Sequence, residues 1–303
     1  MVSEIMPLPK ISTPTYELEI PSTGKKVRYR PFLVKEEKVL VMALESEDMK
    51  QITSAIIDIL TECILSKGVK VSDLATFDIE YLFLNVRGKS VGETIEVNVT
   101  CPDDGETQVQ AEIDIDTIKV QKNKDHNNIV KLDDSLSMKM KYPSVDQFIE
   151  NNFEVQTDIS GVDQSLEMIS SCIEMVYNAD ECWSAVDCTK QEMVDFVEQM
   201  NTKQFKEIEK FFTTMPKLSH TLKLKIQIQR RLTKYYLRDW HLFQLSMSHT
   251  SLEVYYKTNF ALLQYHKYSL TELENMIPWE REVYVTLLQQ HIEEENLKAQ
   301  QNN

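Results

Sequence analysis

Glycine is scarce in this chain, with six residues in 303, and proline adds only nine. So few leave little material for glycine-rich phosphate loops or for a sandwich closed by many tight turns. Cysteine is equally sparse. Cys63, Cys101, Cys172, Cys182 and Cys188 form an odd, scattered set in a chain too large to need covalent staples, so reduced thiols are expected, mostly in helices. No apolar run approaches the roughly 20 residues of a membrane-spanning helix, and residues 1–9 lack the basic region and apolar stretch of a signal peptide. A cytosolic protein is expected, and Asn98-Val99-Thr100 then carries no weight as a glycosylation sequon. Positive charge is short as well: 33 basic against 48 acidic side chains give a net charge of -15. That field repels nucleic acid and anionic membranes and attracts basic partners.

Signatures of bond chemistry are also missing. The six histidines, His126, His220, His241, His249, His266 and His291, show no H-E-x-x-H spacing, and there is no G-x-S-x-G, Walker loop or dinucleotide fingerprint. Spacing leaves open only a triad assembled from distant residues. Cys101-Pro102-Asp103-Asp104-Gly105 resembles one zinc knuckle, but aspartate stands where the second thiolate belongs and the partner knuckle is absent, so it reads as a hairpin turn. Asp114 and Asp116 lie two apart on what the alternation makes a solvated strand face rather than a cation site. The expectation is a protein that is not an enzyme, with no catalytic, cofactor-binding or metal-binding residues and no cofactor.

What is present predicts an α+β fold. Hydrophobicity of 42% with 27% charged residues is globular. Period-two alternation predicts hairpins at 16–20 with 26–30, at 94–101 with 109–115, and at 129–132 with 136–142. Helical spacing predicts helices at 36–44, at 49–65 with Gly68 as stop, and from Ser72 or Asp73 to about 86. After Pro143 the pattern reads as helical throughout, at 165–176, 192–199 and 202–213. Ser144 with Gln147, Thr189 with Glu192 and Ser269 with Glu272 form capping boxes.

The acidic excess is concentrated before residue 218, and the remainder is nearly balanced. Three parts are therefore expected: an α+β domain with hairpins at 1–143, a helical segment at 144–217 completing the N-terminal part, and a helical C-terminal module at 218–303. Within the last, Lys223, Lys225, Arg230, Arg231, Lys234 and Arg238 interleave with Tyr235, Tyr236 and Trp240, a mixture able to bind phosphates and stack bases. Helical spacing of Ile228, Leu232, Tyr235, Tyr236 and Phe243 explains it more simply as the core stripe of a long helix at 225–247. Helices at 252–266 and 276–295 follow. In the last one Pro278 suits the first turn, Trp279, Val283 and Leu287 recur one turn apart, and Tyr284, Leu288 and Ile292 stand beside them. That face must be buried on the domain or offered to a partner.

Three stretches carry a family resemblance. Tyr29-Arg30-Pro31-Phe32-Leu33-Val34-Lys35-Glu36-Glu37-Lys38 and Phe211-Phe212-Thr213-Thr214-Met215-Pro216-Lys217-Leu218-Ser219-His220 resemble the baseplate hub subunit and assembly proteins of T-even-type contractile-tailed phages. Ile277-Pro278-Trp279-Glu280-Arg281-Glu282-Val283-Tyr284 resembles the C-termini of the hub assembly catalyst and tail-assembly chaperones. The resemblance implies a late, non-enzymatic chaperone for hub or tape-measure proteins in the host cell cytoplasm, "catalyst" referring to assembly rather than bond chemistry. A structural hub subunit retained in the virion baseplate is the alternative. Phage baseplate hub or tape-measure proteins are the expected partners, with no nucleic acid and no membrane, and the oligomeric state is open. Trp279, Val283, Tyr284 and Leu287 are the expected partner-binding residues, because large side chains central to an interface dominate binding. Short members imply β-like sequence after Met215-Pro216-Lys217-Leu218. A basic helix from Lys223 would depart from that and suggest a fused or frameshift-extended form joined near residues 217–226.

Overall fold

The computed structural model describes residues 13–100, 108–145, 161–225, 232–238 and 249–301. The first described elements are the antiparallel hairpin β1 (Tyr16–Glu19) and β2 (Lys26–Tyr29), in register Tyr16↔Tyr29. Gly24 takes a φ of 69° at its turn, where a side chain would be strained. Helices α1 (Val34–Glu45), α2 (Met49–Cys63) and α3 (Thr76–Val91) pack on this hairpin. Ile20, Val27, Tyr29, Phe32, Leu40, Ile56, Leu60, Leu82 and Phe83 fill the core between them. Helix α2 stops at Cys63, short of Gly68, because Ile64 is extended and Leu65 N donates to Arg28 O at 2.8 Å beside β2. Ser72 and Asp73 lie in a short 3-10 turn instead of capping α3, which starts after Ala75.

β3 (Thr94–Thr100) and β4 (Gln108–Asp114) form the hairpin that the alternation predicts. Its turn, with Cys101 and the knuckle-like sequence, lies outside the described residues, as does the Ser144–Gln147 capping box at Gln147. Asp114 and Asp116 do not share a strand face: Asp114 ends β4, and its carboxylate accepts from Asp116 N at 2.9 Å, capping a 3-10 turn. β6 (Ile129–Lys131) and β7 (Ser137–Met140) form the next hairpin, after the short β5 (Lys119–Gln121).

The reading of unbroken helix after Pro143 is corrected in two places. Helix α4 (Gly161–Ser171) ends where the chain turns into β8 (Ile173–Tyr177) and β9 (Cys182–Ser184), completing an antiparallel sheet of order β6-β7-β8-β9. Ile173 and Val176 face its core, so tertiary pairing overrides a spacing that also suits a helix. Helices α5 (Lys190–Glu198) and α6 (Thr202–Thr214) cover that core, α5 opening on the Thr189–Glu192 capping box. The second correction falls at the basic stretch, where β10 (Lys217–Lys225) and β11 (Leu232–Arg238) pair antiparallel from Ser219↔Arg238 to Lys225↔Leu232. No helix begins at Lys223. Leu218, His220, Leu222 and Leu224 alternate with Lys217, Ser219, Thr221, Lys223 and Lys225, and this period-two pattern prevails over the looser helical one. The β-like sequence implied after Leu218 is therefore present, and the departure that suggested a junction near 217–226 disappears. Residues 226–231 and 239–248, including Trp240 and Phe243, lie outside the described residues.

β10 also pairs β5, Leu218 opposite Val120, and buries Leu218 with Leu84, Ile95, Ile113, Ile115 and Ile118. Helices α7 (Leu252–His266), α8 (Leu270–Glu274) and α9 (Pro278–Gln301) end the chain. They return to the first core: Val34 N at the start of α1 donates to Met276 O at 2.9 Å.

Candidate partner-binding surface

The orientation of α9 is set by a polar seat. Glu37 on α1 has a side chain with 0% exposure, and its two oxygens are engaged by different partners. Arg281 Nη2 of α9 donates to Glu37 Oε2 at 2.9 Å, and His249 Nε2, ahead of α7, lies 3.0 Å from Oε1. An ionised carboxylate only accepts, so His249 Nε2 carries the hydrogen of that bond. Arg281 also lies over the Tyr255 ring, 5.3 Å from its centroid, and reaches Asn259 Oδ1 at 3.4 Å, both on α7. One α1 carboxylate thus gathers the start of α7 and the first turns of α9. The adjacent Glu36 faces the other way, taking Arg30 at 2.7 Å and Leu33 N at 2.8 Å to brace the β2–α1 corner.

With Arg281 inward, the remaining positions of α9 follow from about 100° per residue. Ile277 and Pro278 are buried and Val285 and Leu288 half-buried on the Arg281 side. Val283, about 160° round the helix from Arg281, points away from the body. Trp279, Val283, Tyr284 and Leu287 are 41%, 48%, 49% and 54% exposed. The helix therefore has apolar residues on two sides, and the fold buries the Arg281 side more fully. Beyond Gln289 every described side chain as far as Gln300 is exposed.

At the margin toward α3, Arg87 donates to Gly92 O at 2.7 Å, and burial pulls its guanidinium down to about 10 against the favourable influence of Glu282. Burial pushes the Cys63 thiol up to about 12 and that of Cys172 to about 11. Among the described residues no group of three or more His, Cys, Asp or Glu could hold a metal ion, and no helix is long and apolar enough to cross a membrane.

Of the four side chains expected to bind a partner, Trp279, Val283 and Leu287 thus share the outer half of α9, and Tyr284, about 60° from Arg281, stands at its flank. The residues that place them, Glu37, His249 and Arg281, are not marked by periodicity. Glu37 and Arg281 do fall inside two of the stretches that carry the family resemblance, 29–38 and 277–284, and the fold brings those stretches together. A family model described as T4 bacteriophage base plate protein matches residues 13–230. A second, the C-terminal domain of the baseplate hub assembly protein Gp51, matches residues 251–293, the α7–α9 unit. No curated protein and no solved structure matches the chain.

Proposed function

Because this chain belongs to the T4 bacteriophage base plate protein family and has a role in phage baseplate assembly, we propose that it acts as a non-enzymatic chaperone for a hub or tape-measure protein in the host cytoplasm. The observation that carries this reading is the outward stripe of α9. An apolar row on the far side of a helix already seated by Arg281 lies outside the monomer's buried core and stays about half exposed, and such surface favours an interaction site. The mechanism is shielding: the stripe covers apolar surface of its client until the client meets its permanent neighbour, which lowers off-pathway association.

A phage carrying Trp279→Ala and Tyr284→Ala tests the reading. Both side chains are about half exposed, so the variant protein should melt close to wild type while hub and tail assembly fail. Normal tail yield from a folded variant would remove the surface from the mechanism. Mass spectrometry of purified virions decides between chaperone and structural subunit: the chaperone is absent from the particle, whereas stoichiometric recovery establishes the subunit.

A further inference from the structure

We propose that the outward stripe of α9 receives a polarised basic helix: apolar where it meets Trp279, Val283 and Leu287, and bearing lysines or arginines where it meets Glu293 and Glu294. The proposal rests on the reading of this stripe as a client surface and specifies the chemistry of what binds.

Helical geometry places Gln290, Glu294 and Leu297 on the same line as Trp279, Val283 and Leu287. At 1.5 Å per residue, the line is apolar for about 12 Å and then reaches Glu294 after about 10 Å more. The charges of α9 are unbalanced. Glu282, Glu293, Glu294 and Glu295 are exposed, whereas Arg281 is consumed by Glu37 and only Lys298 offers an exposed cation on the helix. Glu282 stands toward Arg87, and Glu295 lies 3.5 Å from His291, which leaves Glu293 and Glu294 as the acidic end of the line.

Beyond Gln289 the described side chains of α9 are exposed as far as Gln300. An isolated polar helix of about a dozen residues is marginal in water, so an aligned partner helix would stabilise it. A second copy fits poorly. Laid parallel it opposes carboxylates to carboxylates, and laid antiparallel it sets Glu294 against the apolar end. A basic amphipathic helix satisfies both halves, and the protein's net charge of -15 draws it in.

The test uses the full-length protein and two synthetic amphipathic helices of equal length with a leucine face, one with lysines on its polar side and one with glutamates. Wild type should bind the lysine peptide and not the glutamate peptide. Val283→Asp with Leu287→Asp should weaken binding by about tenfold or more, although it makes the protein more negative. Circular dichroism and melting confirm that this variant is folded. Replacing Glu293 and Glu294 by lysine should shift the preference toward the glutamate peptide.

Undiminished lysine-peptide binding by the aspartate variant would expose general charge attraction and overturn the proposal, as would an unchanged preference in the double-lysine variant. Sedimentation velocity supplies the rival outcome: concentration-dependent dimerisation abolished by Val283→Asp would assign the stripe to a second copy. If peptide preference fails while Trp279→Ala, Tyr284→Ala still blocks tail assembly, the chaperone reading survives and the basic helix does not.

Discussion

A carboxylate with no exposed surface must be paired, and Glu37 meets that need with residues from the far end of the chain, Arg281 and His249. Removing one partner leaves the other charge buried. Arg281→Ala should therefore cost about 3–5 kcal/mol of unfolding free energy, read from urea titration, whereas a half-exposed neighbour such as Val283→Ala should cost well under about 1 kcal/mol. His126 offers a pH-dependent counterpart. Its ring accepts or donates at Thr214 Oγ1 and Tyr142 Oη, each 3.0 Å away, and lies against the Phe211 ring; burial depresses its basicity. The unfolded chain then takes the proton first as pH falls. This contribution to stability is complete above about 6.5 and is lost as pH drops through the folded value. NMR titration of the His126 ring should give a midpoint below that of an unstructured histidine.

At the scale of elements, β10 is the piece that joins regions distant in sequence. It is the central strand of β11-β10-β5, and its Leu218 is fully buried beneath α3 and β4. Leu218→Ala should destabilise the protein by about 2–5 kcal/mol by thermal or urea unfolding. The sequence pattern misses this strand for a physical reason: between residues 217 and 238 apolar side chains recur at both two and three-to-four positions, and the pairing of β10 with β11 and with Lys119, Val120 and Gln121 of β5 decides between them. Where one period alone is present the reading is secure, as in Ile95, Val97, Ala111 and Ile113 of β3 and β4, or in the Thr189 and Ser269 caps. For the candidate surface, spacing discloses the row of Trp279, Val283 and Leu287. Its outward aim depends on Glu37 and Arg281, 244 residues apart in sequence, and no local pattern carries that information.

Across the whole molecule, the α1–α3 core and the core beneath β6–β9 are separate clusters of buried side chains, and α7–α9 touch the former. Loosening the Glu37 seat should therefore be felt unevenly. In the Arg281→Ala variant, hydrogen exchange should accelerate through α7, α8 and α9 while amides of β7 and β8 keep their protection. Uniform acceleration would mean that the clusters unfold as one unit.

An exposed apolar row invites its own helix to roll over and bury it. Here such a roll would lift Arg281 into solvent and strand the Glu37 carboxylate inside the protein without its cation. The ion pair thus acts as a rotational lock: it holds α9 with Trp279, Val283 and Leu287 turned outward.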